Sequence, residues 1–225
     1  MFRVSLEGLD GSGKSTQAEL LVEGLNKENA ELRVGFFHEP RILRTEMFDT
    51  CKLVGKEPHV NDAFISYILA KDGYLDRKEE LKTLPMGSTI YMEYAVIVRD
   101  RDTTISQYAY HHNMGTQDEF MYSMAWIINQ INGSDLVIFV DTPLEICLDR
   151  IRSRASTKAV VDYFEKEEKL RRVHANYIEL LNDKQRLEWM GLGNTKIVMV
   201  NGNQSIETLH KEIMEIVLEN RNIAR

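Results

Sequence analysis

The stretch Glu7-Gly8-Leu9-Asp10-Gly11-Ser12-Gly13-Lys14-Ser15-Thr16-Gln17 follows a short apolar run and precedes a helical pattern. It fits the pattern G-x-x-x-x-G-K-[ST], in which glycines let backbone N–H groups turn inward around a phosphate and the following helix adds its positive N-terminal end. The pattern predicts that Lys14 reaches the outer phosphates of a nucleotide and that the Ser15 hydroxyl contacts Mg²⁺. The apolar segments on both sides favour this interpretation over an ordinary strand-to-helix turn.

Size and charge limit the classes of protein to which the chain can belong. Its 225 residues, 43% of them hydrophobic, can bury a sizeable core, and a net charge of -7 provides no basic surface for a nucleic acid polymer or an anionic membrane. Cys51 and Cys147 form no C-x-x-C pattern, which favours a reducing compartment over a metal site. Met1 directly precedes the first predicted strand, and no apolar run is long enough to span a bilayer. We therefore expect a cytoplasmic protein that binds small molecules.

Strand and helix patterns alternate along the chain. Strands are predicted at 2–6, 32–37, 89–98, 135–141 and 196–200, with helical patterns between and after them. This alternation indicates a single α/β domain over 1–225, a doubly wound parallel sheet with helices on both faces. The helical pattern from 103 to 132 is expected to turn a set of apolar side chains to the interior: Tyr108, Phe120, Met124, Trp126 and Ile127. Ser205 is expected to cap the closing helix.

Charged residues follow two of the predicted strands. Glu39 ends the second strand, and Arg99-Asp100-Arg101-Asp102 ends the third. Because open α/β sheets bind ligands at the carboxyl ends of their strands, these charges predict a binding site, with a solvated loop as the alternative. Four cations between Arg150 and Lys158 predict a flexible lid at about 150–166 that brings an arginine onto a transferring phosphoryl group. A solvated helix face is the alternative here.

Together these motifs resemble the thymidylate kinase family, within the nucleoside and nucleotide kinase group, over nearly the full length. Residues 7–17 are similar to the family's E-G-x-D-G-x-G-K-S-T-Q, and Glu39-Pro40 to its R-E-P element, with His38 in place of arginine. Asp100-Arg101, Ser106 and Ala109-Tyr110 look like D-R-Y … S-x-x-A-Y-Q, with His111 in place of glutamine. Residues 136–145 and 162–165 are similar to the D-x-P-x-E segment and to the D-R-F-E lid.

The resemblance implies ATP-dependent, Mg²⁺-assisted phosphoryl transfer to a deoxynucleoside monophosphate, dTMP to dTDP in the leading hypothesis, by a homodimer. It places the phosphates of ATP on Gly8, Gly11, Ser12, Gly13, Lys14, Ser15 and Thr16. It implies that the acceptor contacts Asp10, Glu39, Arg77, Asp100, Arg101 and Tyr110, and that Ser15 and Asp100 serve the metal. Arg101 would grip the acceptor phosphate, and Asp10 would hydrogen-bond the acceptor nucleotide. The catalytic set is then Asp10, Lys14, Arg101, Arg152 and Arg154.

The two lid arginines enter that set because the phosphate loop of this chain has no cation of its own between Gly8 and Gly13. Some members of the family carry a basic residue inside the loop. Here the lid has to supply the cation that neutralises the transition state, and Arg152 or Arg154 is the candidate.

The acceptor side leaves alternatives open. The acceptor-binding arginine of the long helix is either Arg77, in Asp76-Arg77, or missing, if Asp72-Gly73 is the matching pair. We favour Arg77, because an acceptor phosphate needs that charge. If the acceptor is not dTMP, it is another deoxynucleoside monophosphate or a deoxynucleoside. For a deoxynucleoside, Glu39 would act as the base on the 5′-hydroxyl. A nucleotide-binding regulatory protein without catalysis is the alternative of another class.

Overall fold

The computed structural model describes residues 1–38, 94–112, 118–155 and 167–223. Within these residues five strands form one parallel sheet in the order β2-β3-β1-β4-β5. The strands are β1 (Phe2–Glu7), β2 (Val34–His38), β3 (Val96–Asp100), β4 (Leu136–Asp141) and β5 (Lys196–Asn201). The predicted doubly wound parallel sheet is confirmed.

Seven helices accompany the sheet in the described part of the chain. They are α1 (Lys14–Glu28), α2 (Thr103–His111), α3 (Asp118–Asn132), α4 (Leu144–Ala155), α5 (Glu167–Asn182), α6 (Lys184–Trp189) and α7 (Ile206–Ile223). The cap predicted at Ser205 is present, since the N–H of Thr208 donates to its Oγ at 3.2 Å. The short helix α6 was not predicted from the sequence, although its cap, Asp183, accepts the N–H of Arg186 at 3.0 Å. None of these helices is both long and apolar enough to cross a membrane.

Two apolar clusters cover the two faces of the sheet. On one face α1 and α7 pack on the sheet through Leu21, Leu25 and Ile213, and on the other α2, α4 and α5 contribute side chains such as Ile105, Ile151 and Val173. The two clusters share β4, whose successive residues 136–140 are all fully buried and alternate between them. A continuous apolar run is therefore the expected pattern for β4, because a central parallel strand is covered on both faces.

The inner side of α3 differs from the prediction. Trp126 and Ile127 are 49% and 41% exposed, so the prediction that they face the interior is wrong. Ala125, Ile128 and Asn129 are buried instead. The Asn129 amide donates to the Thr104 hydroxyl at 3.2 Å and to the Met190 carbonyl at 2.7 Å, and a buried polar contact of this kind fixes the helix rotation. The prediction was based on the spacing of apolar residues, which takes no account of a buried polar residue such as Asn129. The side chain of Phe120 lies outside the described residues.

The third strand also ends later than predicted. It runs from Val96 to Asp100 rather than stopping at Val98, because Asp100 still pairs with Leu6 of β1 and His38 of β2. Arg99 and Asp100 are fully buried. The alternative that these charges lie on a solvated loop is therefore excluded. Arg99 and Asp100 lie in the protein interior, at the carboxyl end of β3.

Gly11 provides a test of how tightly the phosphate loop packs on α4. Its φ of +83° is left-handed, and a Cβ there would lie 2.5 Å from the Cys147 carbonyl oxygen. Gly11→Ala should lower the free energy of unfolding by about 1–3 kcal/mol, measured by urea denaturation, because backbone strain and a backbone clash add. Gly193→Ala is the matched control, since the nearest atom to its Cβ would be Glu188 Cγ, at 3.1 Å, and the nearest backbone atom would lie at 3.6 Å, an ordinary contact distance. Equal losses in the two variants would contradict the packing described here.

Candidate active site

The loop between β1 and α1 has the geometry of a phosphate cradle. Gly8, Gly11 and Gly13 all have positive φ values, +149°, +83° and +96°, and Gly13 directly precedes the first residue of α1. The Thr142 hydroxyl holds the loop from outside by donating to the Ser12 carbonyl at 3.0 Å. Ser12 is buried, Ser15 is half-buried and Thr16 is exposed in the first helical turn. A glycine-rich loop that leads into a helix N-terminus in this way is an arrangement suited to an anion.

Lys14 folds back over this loop. It is only 4% exposed, and its Nζ donates to the Leu9 carbonyl at 3.3 Å and to Asp10 Oδ1 at 3.5 Å. Burial, together with the charge of Arg101, lowers the pKa of Lys14. An ammonium group held by one carbonyl and one carboxylate above the loop is positioned to donate hydrogen bonds to the oxygens of a polyphosphate.

Asp10 joins the loop to residues that follow β3. Its Oδ1 accepts from Lys14 and from the Arg101 guanidinium, and its Oδ2 accepts the Tyr110 hydroxyl at 2.9 Å. The Arg101 guanidinium also lies over the Tyr110 ring, 5.2 Å from its centroid. Burial would raise the pKa of Asp10, but the charges of Arg101 and Lys14 outweigh it and lower that pKa to about 2. Asp10 is therefore an anion at physiological pH, with a cation on each side.

The backbone of Arg101 is unusual. Arg101 has a φ of +86° and is the one non-glycine residue with positive φ among those described. Its N–H donates to the Leu6 carbonyl at 3.0 Å, and the next residue, Asp102, caps α2 by accepting the N–H of Thr104 at 3.0 Å. The turn between β3 and α2 therefore sends the guanidinium back towards the phosphate loop. A side chain at positive φ is costly and is typical of functional sites.

Sequence reasoning missed the role of Glu7, which appeared only as the first residue of the loop motif. Glu7 is fully buried at the end of β1 and accepts from the Ser106 hydroxyl at 3.0 Å, the Tyr177 hydroxyl at 2.7 Å and the N–H of Asp102. Burial raises its pKa to about 7 in spite of the charge of Arg101. The sequence did offer one signal for such a role, because Glu7 is a carboxylate at the end of an otherwise apolar strand.

Asp100 and Ser15 are the candidate metal-binding pair. Asp100 Oδ2 accepts from His38 Nδ1 at 2.7 Å, whereas its Oδ1 is buried and has no hydrogen-bond partner among the residues that the structure describes. Burial alone would raise the pKa of Asp100, but the hydrogen bond from His38 and the charge of Lys14 lower it to about 2, and the Ser15 hydroxyl acts in the same direction. An ionised, buried oxygen beside the hydroxyl of the loop fits Mg²⁺, which prefers oxygen ligands. No group of three or more histidine, cysteine or acidic side chains placed to hold a metal ion by themselves occurs in the described ranges.

The arginines of α4 differ in what they contact. Arg150 donates to the carbonyls of Gly11 at 3.2 Å and Ser12 at 3.0 Å. Arg152 instead lies in exposed ion pairs with Asp149, at 3.2 Å, and Glu167, at 3.6 Å, and Arg154 lies in the last turn of the helix. Sequence reasoning named Arg152 or Arg154 as the cation for the transition state, and this stays a prediction; the contact of Arg150 with the loop was not predicted. Because the distance between α4 and the loop depends on tertiary packing, cation spacing in the sequence does not distinguish these three arginines.

Three parts of the predicted site lie outside the described residues. They are Glu39, Arg77 and most of the lid, 156–166. The structure brings together the others on the acceptor and donor sides: Asp10, Lys14, Asp100, Arg101 and Tyr110.

Comparison with known proteins relates the chain to one family. A family model described as thymidylate kinase matches residues 6–213. A protein of Thermococcus kodakarensis described as a probable thymidylate kinase is 27% identical over 224 residues, which cover 95% of this chain and 96% of that protein. A protein of Methanococcus aeolicus with the same description is 26% identical over 231 residues, covering 98% of this chain and 97% of its own length. Since the family model spans nearly the whole chain, the protein belongs to the thymidylate kinase family.

Proposed function

We propose that this protein transfers the γ-phosphoryl group of ATP to the 5′-phosphate of dTMP, yielding ADP and dTDP. The observation that carries the proposal is the pair of cations on Asp10. Lys14 comes from the phosphate loop, Arg101 from the turn after β3, and both contact the same carboxylate oxygen. One cation for the donor phosphates and one for an acceptor phosphate therefore lie side by side at the carboxyl end of the sheet. The sequence and family comparisons support the same reaction.

The chemistry requires little more than position and charge. A terminal oxygen of the acceptor phosphate attacks the γ-phosphorus, the bond from that phosphorus to the β–γ bridging oxygen breaks, and ADP leaves. A phosphate monoester is already largely ionised at pH 7, so no general base has to remove a proton from it. Lys14 would contact the donor oxygens and Arg101 the acceptor phosphate, while Asp10 bridges the two cations through Oδ1 and fixes their spacing.

The metal and the lid complete the proposal. Ser15 Oγ and Asp100 would hold Mg²⁺, either directly or through water. When bound, the ion neutralises charge on the donor phosphates. Arg150 fixes the carbonyl side of the loop from α4, and Arg152 and Arg154, at the end of the same helix, are proposed to reach the transferring group when the lid closes. Glu39 and Arg77 remain proposed acceptor contacts.

The substrate prediction is tested by ADP formation from ATP and Mg²⁺. We expect turnover with dTMP to exceed that with dUMP, dCMP, dGMP, dAMP and the free nucleosides. Lys14→Ala should lower kcat at least about a hundredfold, because a preorganised charge on the transferring phosphates is lost. A monophosphate other than dTMP as best substrate would overturn the base assignment alone. A nucleoside as sole acceptor would overturn the assignment of Arg77 and Arg101, and intact ATP with every acceptor would favour a regulatory protein.

The lid prediction compares two exposed arginines that share one partner. Arg152 and Arg171 both pair with Glu167, and their side chains are 63% and 54% exposed. Exposed pairs contribute little to stability, so neither alanine variant should change the melting temperature appreciably. Arg152→Ala should lower kcat with dTMP by about a hundredfold if it neutralises the transition state, whereas Arg171→Ala should stay within about twofold of the wild type. Equal, small effects would remove Arg152 from the catalytic set and leave Arg154.

A homodimer in the cytoplasm belongs to the same proposal. Trp126 and Ile127 present exposed apolar surface on α3, and contiguous apolar surface is typical of protein interfaces. Trp126→Glu should convert the species seen by sedimentation velocity from dimer to monomer, while Trp189→Glu, on α6, serves as a matched exposed-tryptophan control. A wild-type monomer, or a dimer that persists in Trp126→Glu, would contradict this interface.

A further inference from the structure

We propose that Glu7 is a positioning residue for phosphoryl transfer, which holds the Arg101 guanidinium on the acceptor side of the site. This inference rests on the proposed function, because Arg101 is the residue through which Glu7 acts. Glu7 itself lies beneath the site, fully buried at the end of β1, and both of its carboxylate oxygens accept hydrogen bonds from protein groups. The role is therefore indirect, and three sets of contacts carry it.

The first set fixes the backbone of Arg101. The N–H of Arg101 donates to the Leu6 carbonyl at 3.0 Å, and the N–H of Asp102 donates to Glu7 Oε1. Two successive N–H groups after β3 are therefore bound by two successive residues of β1. A left-handed conformation such as φ +86° is unfavourable for a residue with a Cβ and persists only where its surroundings impose it. The Glu7 carboxylate is one of the two groups that impose it here.

The second set reaches the guanidinium itself. The Ser106 hydroxyl lies 3.0 Å and 3.1 Å from the two carboxylate oxygens of Glu7, and it accepts Arg101 Nη1 at 3.4 Å. A hydroxyl has one proton and two lone pairs, so donation to Glu7 leaves the lone pairs turned towards Arg101. Nη2 of the same guanidinium contacts Asp10. The orientation of the Arg101 fork is thus defined at both of its ends by a carboxylate, one directly and one through Ser106.

The third set connects the turn to the helix that follows the predicted lid. The Tyr177 hydroxyl, on α5, donates to Glu7 Oε2 at 2.7 Å, and Tyr177 is fully buried. Its ring packs against Phe139 of β4, with centroids 5.1 Å apart, and edge-on to Tyr110 at 6.5 Å. Glu7 therefore joins three separate parts of the chain around Arg101: the end of β1, the β3–α2 turn and α5.

All three partners donate to Glu7, so the network needs the ionised carboxylate. Within the described ranges, the charged and titratable groups that face it are Arg101 and Asp102 from the β3–α2 turn, Lys14 from α1 and Tyr177 from α5. Burial raises the pKa of Glu7 from 4.5 to about 7, which Arg101 and the Tyr177 hydroxyl only partly offset. As pH falls through 7, protonation removes an acceptor from the network, and the positioning of Arg101 weakens.

Stability and activity should respond to this proton in opposite directions. The pKa of Glu7 is higher in the folded chain than in the unfolded one, so the folded state binds more protons. Its contribution to stability is present below about pH 4.5 and is lost as pH rises through 7. Activity requires the ionised form, which is populated above pH 7. If Glu7 had only a structural role, its titration would change stability with pH but would not change activity.

The experiment is a double-mutant cycle with Glu7→Gln and Arg101→Ala, measured as kcat and KM for dTMP and as the Kd of ATP. Glutamine keeps an acceptor for the N–H of Asp102 but cannot accept from both hydroxyls. We expect Glu7→Gln to lower kcat/KM for dTMP about tenfold or more and to leave the Kd of ATP within about twofold. In the Arg101→Ala background the same substitution should have almost no effect, because residues that act as a unit are not additive.

Two further variants and a pH profile separate positioning from general damage. Tyr177→Phe should lower kcat/KM in the same direction as Glu7→Gln. Tyr108→Phe is the matched control, since it removes the hydroxyl of another buried tyrosine, one that contacts Glu179 and Arg186; it should leave kcat/KM unchanged. Between pH 6.5 and 8 the wild type should lose kcat towards the acid side, whereas Glu7→Gln should be flat.

The outcomes are distinct. Equal losses from Glu7→Gln in both backgrounds, or a parallel rise in the Kd of ATP, would make Glu7 a structural residue and overturn the inference. An impaired Arg101→Ala beside a fully active Glu7→Gln would also overturn it while leaving the proposed function intact. A wild type that phosphorylates no acceptor would overturn the proposed function, and this inference with it.

Discussion

The pairing of β1 at the centre of the sheet is the constraint on which the site depends. Leu6 pairs with Asp100 of β3 on one side and with Ile138 of β4 on the other, and all of these strands run parallel. Parallel strands in register end at the same edge, so the phosphate loop after β1 and the charged turn after β3 have to meet. The contacts of Arg101 with Leu6 and Asp10 follow from that register, and a slip of one residue would turn Arg99 rather than Asp100 to the binding edge.

The edge formed in this way buries several charges, and their mutual pairing makes that burial tolerable. Asp10 has two cationic neighbours, and Arg99, fully buried, reaches the Ser134 hydroxyl at 3.4 Å. Removing one partner of a buried pair costs about 3–5 kcal/mol, because the remaining charge is left uncompensated. A phosphate that enters the site changes this balance, since it offers Lys14 and Arg101 an alternative anion. The charges that stabilise this edge of the sheet are thus the same ones that the substrates would engage in the proposed function.

How much of this the sequence predicts depends on the range of the interactions involved. The phosphate loop and β4 were predictable, because glycine spacing and a continuous apolar run are local patterns with direct physical causes. Arg150 and Glu7 were not assigned, because their roles come from contacts across the fold, with Gly11 and with Tyr177. Trp126 was misplaced for a similar reason: the rotation of α3 follows a buried polar contact of Asn129, which apolar periodicity ignores. Tertiary polar contacts are therefore what the sequence patterns leave out.

The departures from the family pattern concentrate on the acceptor side, and His38 shows what they imply. The resemblance places an arginine there, whereas this chain has a histidine whose Nδ1 bonds Asp100 Oδ2 at 2.7 Å. An imidazole has two ring nitrogens, whereas a guanidinium has five donors in a planar fork and a permanent charge. The end of β2 therefore offers an anion fewer donors than an arginine would, and no permanent charge. In the proposed function more of the acceptor binding then falls to Arg101, so its placement by Leu6, Glu7 and Ser106 matters more for recognition of the acceptor.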